Sequence, residues 1–198
     1  MAVHGNATQV YCGTMKEKIE SSPIRQEEQR VIFFAALCLF LSVVEYAIPK
    51  PLPFLRLGLA NLPVLLSFPK LRKKNIVLLV FMKTVGQGLI SGTLFSYVFV
   101  FSAAGSFASA LGMGSFYYLF VYKKSNPVMG FVGLSLIGAL CNNMAQLVVA
   151  QYMIFGAGTL YIAPLLLCIG TVTGLLLGLF AEKFTKVSRW YSSLEDVL

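Results

Sequence analysis

The chain has 198 residues, 57% of them hydrophobic and only 12% charged, with a mean hydropathy of +0.76. A soluble domain carries about 25% charged residues to wet its surface, so this composition argues against a water-soluble globular protein. The net charge of +8 sits in short clusters between apolar blocks, a placement that sets membrane orientation and does not make a nucleic-acid-binding face.

In chain order, residues 1–30 hold Lys16, Glu17, Lys18, Glu20, Arg25, Glu27, Glu28 and Arg30. They lack an apolar core followed by a small-residue cleavage site, so they read as a polar cytoplasmic extension and not as a signal peptide. Residues 31–184 read as the membrane domain. A first span over 31–48 is closed by Pro49, Pro51 and Pro53, which cannot continue a helix. The next apolar block, 57–69, is short against the roughly 20 residues a crossing needs. It is either tilted with help from its flanks or partly re-entrant. After the basic run Lys70, Arg72, Lys73, Lys74 come spans at 76–90 and 97–122, joined by a turn at 91–96. A break at 123–127 precedes a fifth span at 131–155, a turn at 156–159, and a sixth span at 161–184. Residues 185–198 read as a cytoplasmic tail.

The basic residues orient this map. With the N-terminus inside, the inner segments hold Lys16, Lys18, Arg25, Arg30, the run at 70–74, Lys123, Lys124, Lys183, Lys186 and Arg189. The outer segments hold only Lys50 and Arg56, and Lys83 falls within a span. This asymmetry follows the positive-inside rule and predicts an all-α bundle of six transmembrane helices with both ends in the cytoplasm.

Small residues recur at helix-packing spacing: Gly88 and Gly92; Ala104, Ala108 and Gly112; Gly170, Gly174 and Gly178. Such stripes let helix backbones approach closely, either inside the bundle or against a partner subunit. No long-period repeat supports a duplicated transporter.

Polar groups at membrane depth cost free energy unless partnered or wetted, so they are the best functional candidates. Glu45 lies near the outer end of the first span and Asn61 interrupts the short block. Lys83 and Gln87 are four apart and share a helical face. Asn142, Asn143 and Gln146 form a third cluster. Each has a second reading: amides tie helices together, Lys83 snorkels or pairs with a carboxylate, and Glu45 sits at headgroup level. Taken together they read as the lining of one cavity for a small solute.

Catalytic signatures are missing from the sequence. There is no GxxxxGK[ST] phosphate loop, the sole Asp is Asp196, and the sole His is His4. Cys12, Cys38, Cys141 and Cys168 show no metal or disulfide spacing. The expectation is a non-enzymatic protein without metal or cofactor.

The stretch Glu45-Tyr-Ala-Ile-Pro49 with Leu57-Gly58-Leu59-Ala60-Asn61, then Gly92-Thr-Leu-Phe-Ser96, Ser102-Ala-Ala-Gly105, Gly138-Ala139, Asn143 and Gln146, resembles the bacterial Gx transporter family. That family is often labelled heptaprenyl diphosphate synthase component I, and the likeness covers residues 31–184. It is similar to the S components of energy-coupling-factor transporters, six-helix proteins that capture a vitamin. The resemblance implies the bacterial cytoplasmic membrane, a small organic solute (vitamin, flavin or isoprenoid-like), and separate coupling and ATPase subunits. Asn142 stands where the family commonly has His, and no alanine docking motif is evident around Ala35 and Ala36. Two alternatives stand beside transport. One is a non-catalytic membrane subunit for prenyl diphosphate synthesis, the other a subunit of a flavin or redox membrane complex using the glycine face of the sixth span.

Overall fold

In lipid every backbone N–H and C=O must be satisfied within the protein, which leaves this apolar chain the helix as its local solution. The computed structural model describes residues 23–47, 58–121 and 129–194, and among them every regular element is helical. The expected proline-rich loop, the break at 123–127 and the extension up to residue 22 lie outside the described residues.

The described residues form seven α-helices, in order α1 (Pro23–Ala47), α2 (Leu62–Ser67), α3 (Lys73–Ile90), α4 (Tyr97–Phe116), α5 (Phe131–Ala150), α6 (Thr159–Val187) and α7 (Arg189–Ser193). A 3₁₀ turn, Leu59–Asn61, leads into α2, and π turns at Tyr117–Val121 and Gln151–Phe155 extend α4 and α5. Among the described residues, four helices are long and apolar enough to cross a membrane, over Gln26–Ala47, Tyr97–Val121, Phe131–Ile154 and Thr159–Val187. Of the two remaining expected spans, α3 has 18 residues but carries Lys73, Lys74 and Lys83. The other contains only the six-residue α2, about 9 Å long at 1.5 Å per residue.

That short block is an internal element. All six residues of α2 are buried, so no face of it is offered to lipid. Its flanks nevertheless follow α1. The Gly58 amide donates to Glu45 Oε1 at 3.4 Å, and the Arg72 amide donates to Glu27 Oε1 at 3.2 Å. Glu27 and Glu45 are separated by about 27 Å of helix, so residues 58–72 run antiparallel along most of α1. Gly58 turns into this segment at φ +83°, a left-handed conformation that glycine adopts without a Cβ clash.

Helix ends differ from the polarity boundaries. α1 begins at Pro23, inside the expected extension, and α6 runs to Val187, inside the expected tail. The tail then returns to the bundle. Tyr191 on α7 is buried, and its hydroxyl donates to the Leu66 carbonyl at 2.9 Å. Lys70 Nζ donates to the Leu194 carbonyl at 2.5 Å. Residues 70–74, the start of α1 and the end of α6 thus share one basic end.

The core has two apolar parts. A large cluster at the basic end joins α1, α2 and α3 to Met113, Tyr117, Leu134, Ala181 and Tyr191. A smaller one, nearer the far end, is Phe101, Leu147, Ala150 and Leu166. Between them on α4, α5 and α6 lie Ser102, Ser106, Ser109, Asn142, Asn143, Gln146 and the glycines of α6. The bundle is therefore layered apolar, polar, apolar along its axis. Its outer faces are apolar: Phe40, Val77, Leu111 and Leu176 are each at least 60% exposed, as lipid contact requires.

Candidate functional site

The polar layer is built around α5, which packs on α4 on one side and α6 on the other. Adjacent residues of a helix point about 100° apart, so Asn142 and Asn143 can serve different neighbours. Each finds a glycine opposite. A methyl on Gly105 of α4 would overlap Asn142 Oδ1, and a methyl on Gly170 of α6 would overlap Asn143 Nδ2. Asn143 Nδ2 donates to the Leu166 carbonyl at 3.0 Å, binding α5 to α6. Asn142 receives a weak contact from Gln146 Nε2 and makes another to Asn143 Oδ1, both at 3.5 Å.

The glycine stripe of α6 is consumed inside the bundle. A Cβ on Gly174 would lie 2.8 Å from Ala139 Cβ, and one on Gly178 would lie 2.6 Å from Val132 Cα. Gly170, Gly174 and Gly178 are all buried against α5, so this face is not available to a partner subunit. Of the two readings of the stripe, packing inside the bundle is the one this close approach supports. Ser135 completes the seam by donating to the Gly174 carbonyl at 2.7 Å.

A small cavity of about 20 Å³, room for a single water, lies where the Gly58–Leu65 segment meets α4, α5 and α6. Asn61, Asn142 and Asn143 all line it, together with Ser109 and Gly170. The structure thus brings together residues 81 positions apart in the chain. Lys83, buried on α3, donates through Nζ to Asn61 Oδ1 and so touches the cavity wall from behind. Gln87 lies one turn further along α3 and accepts from Ser102 Oγ at 3.4 Å. Glu45 is buried at the Gly58 turn. Glu45, Gln87 and Gln146 do not line the cavity; Gln146 reaches it only through Asn142.

Several polar residues were missed from the sequence. Ser102, Ser106 and Ser109 are buried on one face of α4, and Ser109 lines the cavity. Their spacing of four and three is the helical period, and that was the available signal. Among the described residues, the buried Ser109 Oγ and Gln146 Oε1 have no hydrogen-bond partner. A seam that served only to hold helices together would satisfy its own polar atoms.

These features define a helical membrane protein whose polar groups are gathered in a buried central layer. The chain belongs to the heptaprenyl diphosphate synthase component I family, whose model matches residues 34–184. No curated protein and no solved structure matches the chain.

Proposed function

We propose that the protein is the solute-binding membrane component of a transport system, crossing the bilayer six times with both termini in the cytoplasm. The basic end, with Lys70, Arg72, Lys73, Lys74, Lys183, Lys186 and Arg189, is the cytoplasmic one in this reading. The segment 58–72 acts as the second crossing, shielded from lipid. The solute is a small organic molecule of the vitamin, flavin or isoprenoid class, and separate coupling and ATPase subunits supply the energy.

The observation that carries the proposal is the polar layer, in which, among the described residues, the cavity-lining Ser109 hydroxyl and the Gln146 carbonyl of the same layer have no hydrogen-bond partner. Buried polar atoms of this kind are stabilised by whatever donor or acceptor enters next to them. The cavity has room for only a single water, so the structure corresponds to a closed form in this reading. Opening, in this reading, separates the helices at the smaller of the two apolar clusters among the described residues, Phe101, Leu147, Ala150 and Leu166. In this reading the solute enters from the outer face. The layer offers amides and hydroxyls, groups suited to binding, and we take the role as non-enzymatic.

The test is thermal stabilisation of the purified protein across a panel of vitamins, flavins and prenyl phosphates, with native mass spectrometry for a co-purified ligand. A well-folded protein that no panel member stabilises and that carries no ligand would overturn the proposal. The family description favours a second reading, a non-catalytic membrane subunit for prenyl diphosphate synthesis. Prenyl chain elongation lost on deletion and restored only by this protein would establish that instead.

A further inference from the structure

Toward the basic end, α4 presents the small residues Ala110, Gly114 and Ser115 between itself and α3, which leaves space there. The result is an apolar cleft of about 320 Å³, floored by Phe68 and walled by Ile76 and Val80 on one side and Phe107 on the other. It is separate from the polar cavity and lies on the bundle's outer surface, where Val77 and Leu111 at its rim are 63% and 70% exposed. Along α4 it runs from Phe107 to Tyr118, about 16 Å of helix, which matches one leaflet's half of a roughly 30 Å hydrocarbon core.

The end of the cleft is charged. Lys73 lines it there, with Nζ 4.1 Å from the centre of the Tyr118 ring. Arg72, Lys73 and Lys74 are all exposed, and they share an adjoining surface hollow with Glu27 and Glu28. Glu27 Oε2 is engaged by Arg72 at 3.5 Å. Lysines therefore stand at the headgroup end of a chain-shaped apolar slot. We infer that this cleft is a binding site for one anionic phospholipid of the leaflet at the basic end. One acyl chain lies between α3 and α4, and the phosphate sits at Lys73 and Lys74.

The experiment titrates delipidated full-length protein with phosphatidylglycerol or phosphatidylcholine of identical chains and counts bound lipid by native mass spectrometry. Two lysines at a membrane surface predict a preference of roughly 25-fold for the anionic lipid. Lys73→Gln combined with Lys74→Gln, both exposed positions, brings that ratio below about threefold. Ala110→Phe fills the slot and weakens both lipids alike. Wild-type protein supplies a further arm should Ala110→Phe fail to fold. Phosphatidylglycerol with a photoreactive chain labels the peptides containing Val77 and Leu111, and excess glycerol phosphate does not displace it. The inference is overturned by a wild-type ratio near one, by a ratio unchanged in the double glutamine variant, or by labelling spread evenly over the apolar belt. A polyprenyl phosphate that displaces phosphatidylglycerol at equal concentration would overturn the choice of a phospholipid.

Discussion

Gly170→Ala is the sharpest probe of the polar layer. The added methyl overlaps the Asn143 amide nitrogen and lies 2.8 Å from its amide carbon. Asn143 cannot yield without giving up its 3.0 Å bond to the Leu166 carbonyl. Over-packing of a well-filled site costs about 1–3 kcal/mol, and an interhelical hydrogen bond in a membrane protein contributes about 0.6 kcal/mol, at most about 1.7. The variant should therefore lose about 2–4 kcal/mol, read by denaturant unfolding in detergent micelles. Asn143→Ala alone loses the bond but removes the obstacle. In that background Gly170→Ala should cost close to nothing, giving a coupling of about 2–4 kcal/mol in the double-mutant cycle. If the two costs instead add within about 0.5 kcal/mol, the glycine is not there to house Asn143 and the account of the seam is wrong.

Three further outcomes follow from the same geometry. Ser109→Ala removes a hydroxyl without a partner among the described residues, so stability should be unchanged or rise by up to about 1 kcal/mol while affinity for the identified solute falls. A clear loss of stability would show that the hydroxyl is structural. Lys83→Ala should weaken solute binding by tenfold or more with membrane insertion intact, because Asn61 loses its partner at the cavity wall. Unchanged binding would reduce Lys83 to a packing residue. Tyr191→Phe deletes the 2.9 Å bond to Leu66 and should cost about 1 kcal/mol, with faster proteolysis of the C-terminal segment; an unaltered cleavage rate would argue that α7 is held by other contacts.

What the sequence by itself determined is the helical fold and the position of most long elements. Apolar runs of this length in lipid can satisfy their backbone only as helices, so the expected spans at 97–122 and 131–155 fall within a few residues of the observed bounds. Helix ends were less legible, since backbone hydrogen bonding does not stop where polarity begins. That is why α1 and α6 extend into segments read as extension and tail. Spacing alone also put Asn142 and Gln146 on one face, because that relation is local to a single helix.

Only the tertiary structure decided the rest. A thirteen-residue apolar block reads the same whether lipid or protein covers it, and the burial of every residue of α2 depends on α1, α3, α5 and α6 closing around it. The glycines of α6 had two possible uses until α5 was seen to fill their groove. The meeting of Asn61 with Asn142 and Asn143, and of Lys83 with Asn61, joins separate elements through packing. No periodicity within one helix encodes such a meeting, and it is what turns scattered polar residues into a candidate site.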